Sequence, residues 1–157
     1  MATKVRKMLF ILSKATIENA YAAFIMANGA RMEGIESEIF FTFFGLEVIQ
    51  KKKLAHLHVA TVGNPAMHIP TMLGGLPGME AMATKMMKKE MEKLDMPPIG
   101  EFLEILSDSG CKLWGCKLAV DMFHLERKDL IDELDGILTI GDFYNRADQE
   151  GCQLVFI

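Results

Sequence analysis

Cysteine is scarce in this chain: three residues among 157, an odd number with no metal-ligand spacing between them. That excludes the disulfide framework of a small secreted domain and points to a reducing, cytoplasmic setting. Long apolar runs are missing too. No stretch approaches the ~20 uninterrupted apolar residues of a membrane-spanning helix, and the apolar run after the basic N-terminus, residues 8–12, is shorter than the roughly 7–15 residues of a secretory signal core. Excess positive charge is absent. The net charge is −4, and the lysine clusters at 51–53 and 85–89 are short and offset by neighbouring acids, so a nucleic-acid backbone is excluded as a partner. Neither G-x-G-x-x-G, a phosphate-binding P-loop nor a G-x-S-x-G elbow occurs, which leaves nucleotide and hydrolase chemistry without a carrier.

Half the residues are hydrophobic, enough for one sizeable core, and 1–157 reads as a single domain. Residues 4–13, KVRKMLFILS, form a nearly continuous apolar run, the pattern of a parallel strand buried on both faces. Thr16 stands where it can cap a helix whose apolar positions Ile17, Ala20, Tyr21, Phe24 and Ala27 recur at helical spacing until Gly34. Residues 38–44 read as a second strand, followed at Gly45 by a short amphipathic helix ending in the lysines at 51–53. Residues 55–62 alternate apolar side chains with His56 and His58 and read as a short strand or hairpin arm.

Residues 64–96 carry eight of the 13 methionines and two Gly/Pro clusters, and read as an insertion with one amphipathic helix. After Pro97-Pro98 the rhythm resumes. A helix over 99–106 stops at Gly110, a strand covers 111–115, a helix starts near Lys117, a short helix covers 129–134, a strand covers 137–140, a helix covers 143–150, and a strand closes the chain at 153–157. Strands alternating with helices predict a mostly parallel α/β sheet of about five strands with helices on both faces.

Ligands of open α/β sheets bind outside the carboxyl ends of the strands. The residues at those ends are the candidates: Ser13 and Lys14, Thr42 to Gly45, Gly115 to Lys117, and Gly141-Asp142. Cys116 stands where a strand passes into a helix, a position whose free N–H groups and dipole favour a thiolate, with Lys112 and Lys117 as further cations. A thiolate there suits thiol transfer or a persulfide intermediate. A free cysteine is also among the most buried residue types and packs as a small hydrophobe. Cys111 lies five residues earlier; along a strand the two side chains face opposite ways, roughly 16 Å apart, beyond the ~7 Å between Cα atoms that a disulfide allows. Cys152 reads as structural.

Among the four histidines, His124 lies about 12 Å along a helix from Cys116, too far to act as its base, and nothing in the sequence places His68. His56 and His58 lack the further ligands a metal site needs. The methionine stripe Met79, Ala83, Met87, Met91 and Leu94 reads as a packing or subunit surface, not a soft-metal site. The junction from Ser13 to Thr16 is a place where a helix end can hold an anion.

Ala27-Asn28-Gly29-Ala30, the run Phe40-Phe41-Thr42-Phe43-Phe44-Gly45-Leu46, the Met-rich block from Leu76-Pro77-Gly78-Met79 to Met86-Met87-Lys88-Lys89, and Gly110-Cys111-Lys112-Leu113-Trp114-Gly115-Cys116 with Asp121-Met122 resemble the DsrE/DsrF-like family over nearly the whole chain. The Met-rich block is the most specific part of the likeness. The resemblance implies a flavodoxin-like three-layer α/β domain with a Met-rich helical insertion, assembly into homo-oligomers, and sulfur transfer through a thiol that accepts persulfide or thiosulfonate sulfur. The family's Ala-Cys-x-Met-Ser-Met-Asp pattern falls on Gly115 to Asp121, which keeps the cysteine at Cys116 and replaces the Met-Ser-Met core by Leu118, Ala119 and Val120.

Three functions follow as expectations. In the first, Cys116 carries sulfur between donor and acceptor proteins or small sulfur compounds, with Cys111 and Lys117 as auxiliaries, Ser13, Lys14, Thr42 and Gly45 around the pocket, and no metal or cofactor. In the second, Cys116 does peroxiredoxin-like redox chemistry with a resolving cysteine from Cys152 or another subunit. In the third, an oligomeric module binds a small ligand or a partner tail at the strand ends without catalysis.

Overall fold

The structure, a computed structural model, describes residues 4–157; the first three residues of the basic N-terminal stretch lie outside the described residues. The opening apolar run is strand β1 (Lys7–Leu12), covered on both faces, which is why its sequence shows no alternation. With β2 (Glu36–Phe41), β3 (Lys112–Cys116), β4 (Gly136–Leu138) and β5 (Cys152–Phe156) it forms a sheet of order β4-β3-β2-β1-β5 in which every neighbouring pair is parallel. One strand lies outside β1, as in flavodoxin, but here it is the last strand and not the second.

The helices are α1 (Ile17–Met32), α2 (Thr71–Gly74), α3 (Met79–Glu92), α4 (Ile99–Asp108), α5 (Lys117–Met122) and α6 (Ile140–Ala147). From β1 to β4 the chain steps in one direction across the sheet, then returns to β5 beside β1. Right-handed crossovers therefore put α1 and α4 on one face and α6 on the other. Adjacent residues of β2 show this division. Ser37 Oγ donates to Ala27 O of α1 at 3.0 Å, while Glu38 binds Arg146 of α6. On the first face Tyr21, Phe24 and Phe102 pack as a ring cluster with centroids 5.4–6.3 Å apart. On the second, Phe143 rests on Phe40 at 4.8 Å.

Four local readings change. Residues 55–62 form no strand: Leu54–His56 is a 3₁₀ turn, and the extended stretch after it bonds to side chains, Val59 N–H to Thr84 Oγ1 at 2.9 Å and Ala60 N–H to Glu18 Oε1 at 3.1 Å. Residues 129–134 form no helix, because Arg127 reaches across and donates to the carbonyls of Leu130, Ile131, Asp132 and Leu134; only the 3₁₀ turn Arg127–Asp129 is regular. The segment after β2 is a 3₁₀ turn, Phe43–Ile49, not an α-helix. Thr16 occupies the cap position of α1, but its hydroxyl accepts from Asn19 Nδ2 at 2.6 Å and from no backbone N–H.

Of the methionine stripe, Ala83 is buried and Met87 and Met91 pack against the core. Met82 and Met86 stay exposed on the other side of α3.

Among the described residues the buried charges of the sheet meet at one point. Glu38 and Lys7, each with its side chain only 4% exposed, form an ion pair at 2.6 Å. The other carboxylate contacts are Arg146 Nη2 at 2.7 Å and Trp114 Nε1 at 2.7 Å, and the Arg146 guanidinium lies 4.4 Å over the Trp114 ring. Burial by itself raises the Glu38 pKa, but the hydrogen bonds from Arg146, Lys7 and Trp114 and the charge of Lys7 outweigh it and hold the carboxyl below 4.5. Glu38→Gln leaves Lys7 buried without a counter-charge, and is expected to lower the unfolding free energy by about 3–5 kcal/mol. Urea titration followed by the fluorescence of the single tryptophan, Trp114, measures this, and a loss under about 1 kcal/mol would contradict it. The folded-state pKa lies below the unfolded one, so this stabilisation is complete above roughly pH 4.3 and disappears as pH falls through the lower folded value. Wild-type stability should therefore drop more steeply than that of Glu38→Gln in acid below that pH; parallel curves would show that Glu38 is not the group responsible.

Candidate active site

The loops that follow β1, β2 and β3 meet at the carboxyl end of the sheet. Cys116 is the last residue of β3 and stands at the cap position of α5, with extended backbone at φ −76° and ψ 119°. Its register partner on β4 is Leu138. The residue is 2% exposed and belongs to the hydrophobic core. Lys117 pairs with Asp121 one turn along α5, Nζ to Oδ2 at 2.6 Å. Lys112, at the other end of β3, pairs with Asp135 at 2.9 Å. Both lysines that sequence reasoning put near the thiol have carboxylate partners of their own.

Cys111 precedes β3 and faces the α1 side, beside Ser37 and Arg31. Burial pushes its thiol up to about 11, against the opposing effects of Ser37 and Arg31. Cys152 opens β5, in register with Lys7 at the amino end of β1, and burial raises its thiol as well. Since all strands are parallel, Cys111 and Cys152 lie at the amino end of the sheet and Cys116 at the carboxyl end. All three are free thiols. A resolving cysteine for Cys116 would have to come from a second subunit.

The remaining candidates divide into stitching and lining residues. Ser13 donates through both its N–H (2.9 Å) and its Oγ (3.0 Å) to the carbonyl of Ile157, which ties down the end of the chain. Thr42 N–H donates to Leu12 O at 3.0 Å and Gly45 N–H to Ser13 O at 3.0 Å. A Cβ on Gly45 would lie 2.1 Å from Leu12 O, so only glycine lets the Phe43–Ile49 turn cross the end of β1. Lys14 alone of this set lines a cleft, about 450 Å³ in volume, together with Lys52, Lys53, His56 and His58. Sequence reasoning missed this grouping because residues 51–53 read as a helix end; the only signal was their charge.

Phe43 sits at φ +45°, a left-handed conformation rare for an aromatic residue. Phe43, Phe44, Leu118, Met122, Ile140 and Tyr144, in the segments that follow β2, β3 and β4, are exposed. Phe44 packs on Phe123 with centroids 5.9 Å apart, joining the loop after β2 to the end of α5. Among the described residues no three His, Cys, Asp or Glu side chains are grouped to hold a metal ion, and no helix is long and apolar enough to cross a membrane.

A five-stranded parallel sheet with helices on both faces, and a cysteine where an inner strand passes into a helix, defines a three-layer α/β protein. The chain belongs to the DsrE/DsrF/DrsH-like family, whose model matches residues 4–155. It is similar to sulfur carrier protein DsrE2 of Allochromatium vinosum, 34% identical over 153 residues that cover 91% of this chain and 95% of that protein. It is also similar to the uncharacterized protein YrkE of Bacillus subtilis, 28% identical over 140 residues covering 86% and 88%. A protein of unknown function from Methanobacterium thermoautotrophicum shares the fold at a TM-score of 0.58 and 9% identity, over 96% of this chain and 98% of that one.

With its thiol at about 11, Cys111 exposes roughly one thiolate in a thousand at pH 8. Its alkylation by iodoacetamide in the folded protein should lag free cysteine at least about 100-fold and become fast in urea. Peptide mapping of a timed reaction reads this, and folded-state labelling at the rate of free cysteine would refute it.

Proposed function

We propose that the chain is a sulfur carrier in which Cys116 takes up sulfane sulfur from a small sulfur compound or donor protein and passes it to an acceptor thiol. The observation that carries the proposal is a cysteine at the loop end of β3 in a chain 34% identical to a named sulfur carrier. With thiosulfate as donor, the Cys116 thiolate attacks the outer sulfur, the S–S bond of thiosulfate breaks, and sulfite leaves with the bonding pair; the product is a Cys116 persulfide, with no net oxidation and no cofactor. An acceptor thiolate then attacks the terminal sulfur and frees Cys116. The family resemblance extends the proposal to a homo-oligomer working in the cytoplasm.

Because Cys116 is buried, loading requires a local movement of the segments packed around the end of β3, among them α5 and the Phe43–Ile49 turn. The same burial favours a second reading, a binding module in which Cys116 only packs.

Intact-mass spectrometry of reduced protein after polysulfide, thiosulfate or tetrathionate separates the two. The carrier gains sulfur in wild type and in Cys111→Ala, and gains none in Cys116→Ala. No adduct with any donor, together with slow alkylation of Cys116, selects the binding module.

A further inference from the structure

We infer that the cleft beside Lys14 binds a small tetrahedral oxyanion, a dianion of the thiosulfate, sulfate or phosphate type, and that it anchors the donor ahead of transfer; the second half of this inference rests on the carrier reading. The cleft lies just beyond the carboxyl end of β1, where open parallel sheets place their ligands. Seven lysines of the chain, residues 7, 51, 53, 93, 112, 117 and 128, are held by a carboxylate. Lys4, Lys14, Lys52, Lys85, Lys88 and Lys89 have no such partner among the described residues, and of these Lys14 and Lys52 line this one concave space.

Lys53 also lines it, but Glu47 neutralises it at 2.5 Å. His56 and His58 add imidazole nitrogens to the same wall. Two carboxylates line it as well: Glu47, taken up by Lys53, and Glu80, at the start of α3, with no cation partner among the described residues. In an acidic protein, with a net charge of −4, two unpaired ammonium groups facing a cleft of about 450 Å³ are a local trap for a compact anion. Glu47 and Glu80 on its boundary disfavour an extended acidic peptide. Phe44 forms part of the lining and packs on Phe123 at the far end of α5 from Cys116, so the cleft adjoins the helix that Cys116 begins.

Calorimetric titration of Cys116→Ala with thiosulfate, and separately with phosphate, at constant ionic strength tests binding without chemistry. Saturable binding is expected, weakened at least about fivefold by Lys14→Met and by Lys52→Met, and tightened about two- to threefold by Glu80→Gln. Such opposite signs would not come from misfolding, and unchanged melting temperatures of these surface variants exclude it. Binding of both anions assigns a general oxyanion site and binding of thiosulfate alone a donor-specific one; either supports the inference. No saturable binding, affinities indifferent to both lysines, or binding of a Glu-rich peptide in place of both anions would overturn it. Sulfur uptake by otherwise wild-type protein at limiting thiosulfate then separates the two proposals. Uptake at Cys116 that is equally fast in Lys14→Met and Lys52→Met removes the anchor and leaves the carrier. Oxyanion binding with the expected variant pattern but no sulfur ever reaching Cys116 removes the carrier and leaves the oxyanion site.

Discussion

Glu38 is ionised inside a protein interior, and a buried carboxylate is tolerated only where cations and hydrogen bonds replace its water. Lys7 comes from β1, Trp114 from β3 and Arg146 from α6, and each points at the same two oxygens. The cluster therefore sets three things together: the register of the inner strands, the face on which α6 lies, and the position of the return crossover that brings β5 back beside β1. Lys7 also donates to Arg146 O at 2.8 Å, which pins the last turn of α6. An apolar core alone would leave these elements freer to slide, because hydrophobic burial is not directional.

The carboxyl end of the sheet is organised differently, by backbone contacts at close range. Leu12 O, Ser13 O and Ile157 O each accept a bond from a neighbouring loop or strand end, and Gly45 permits the approach by lacking a side chain. These bonds bring the Phe43–Ile49 turn over the strand ends, where it packs against β3 and α5. The amino end of the sheet is thus held by buried charge and the carboxyl end by backbone bonds between turns. The left-handed Phe43 lies in this turn.

Much of this was legible from residue order. The buried run of β1, the helical spacing of α1, α4 and the glycine stops at Gly34 and Gly110 follow from periodicity and backbone freedom; at the end of α1, Gly34 at φ +72° lets Ile35 N–H close on Ala30 O at 2.8 Å. The junction at Cys116 followed from the strand-to-helix switch. Residues 55–62 misled because alternation is the mark of a strand only where a second backbone is available, and here Thr84 and Glu18 side chains take that place. Residues 129–134 misled because no local pattern announces that Arg127 will gather four carbonyls.

The sequence by itself determined the α/β class, the parallel sheet and the separation of Cys111 from Cys116 on opposite faces, because periodicity and strand pleat are properties of neighbouring residues. Tertiary structure decided what distant residues do to one another. It placed β5 beside β1, gave Lys117 to Asp121 and Lys112 to Asp135, buried Cys116 in the core, and collected Lys14, Lys52, His56 and His58 around one cleft. Charge pairing and burial depend on which surfaces meet when the chain closes, and residues 14 and 52 meet only because β1 and the turn after β2 end at the same edge of the sheet.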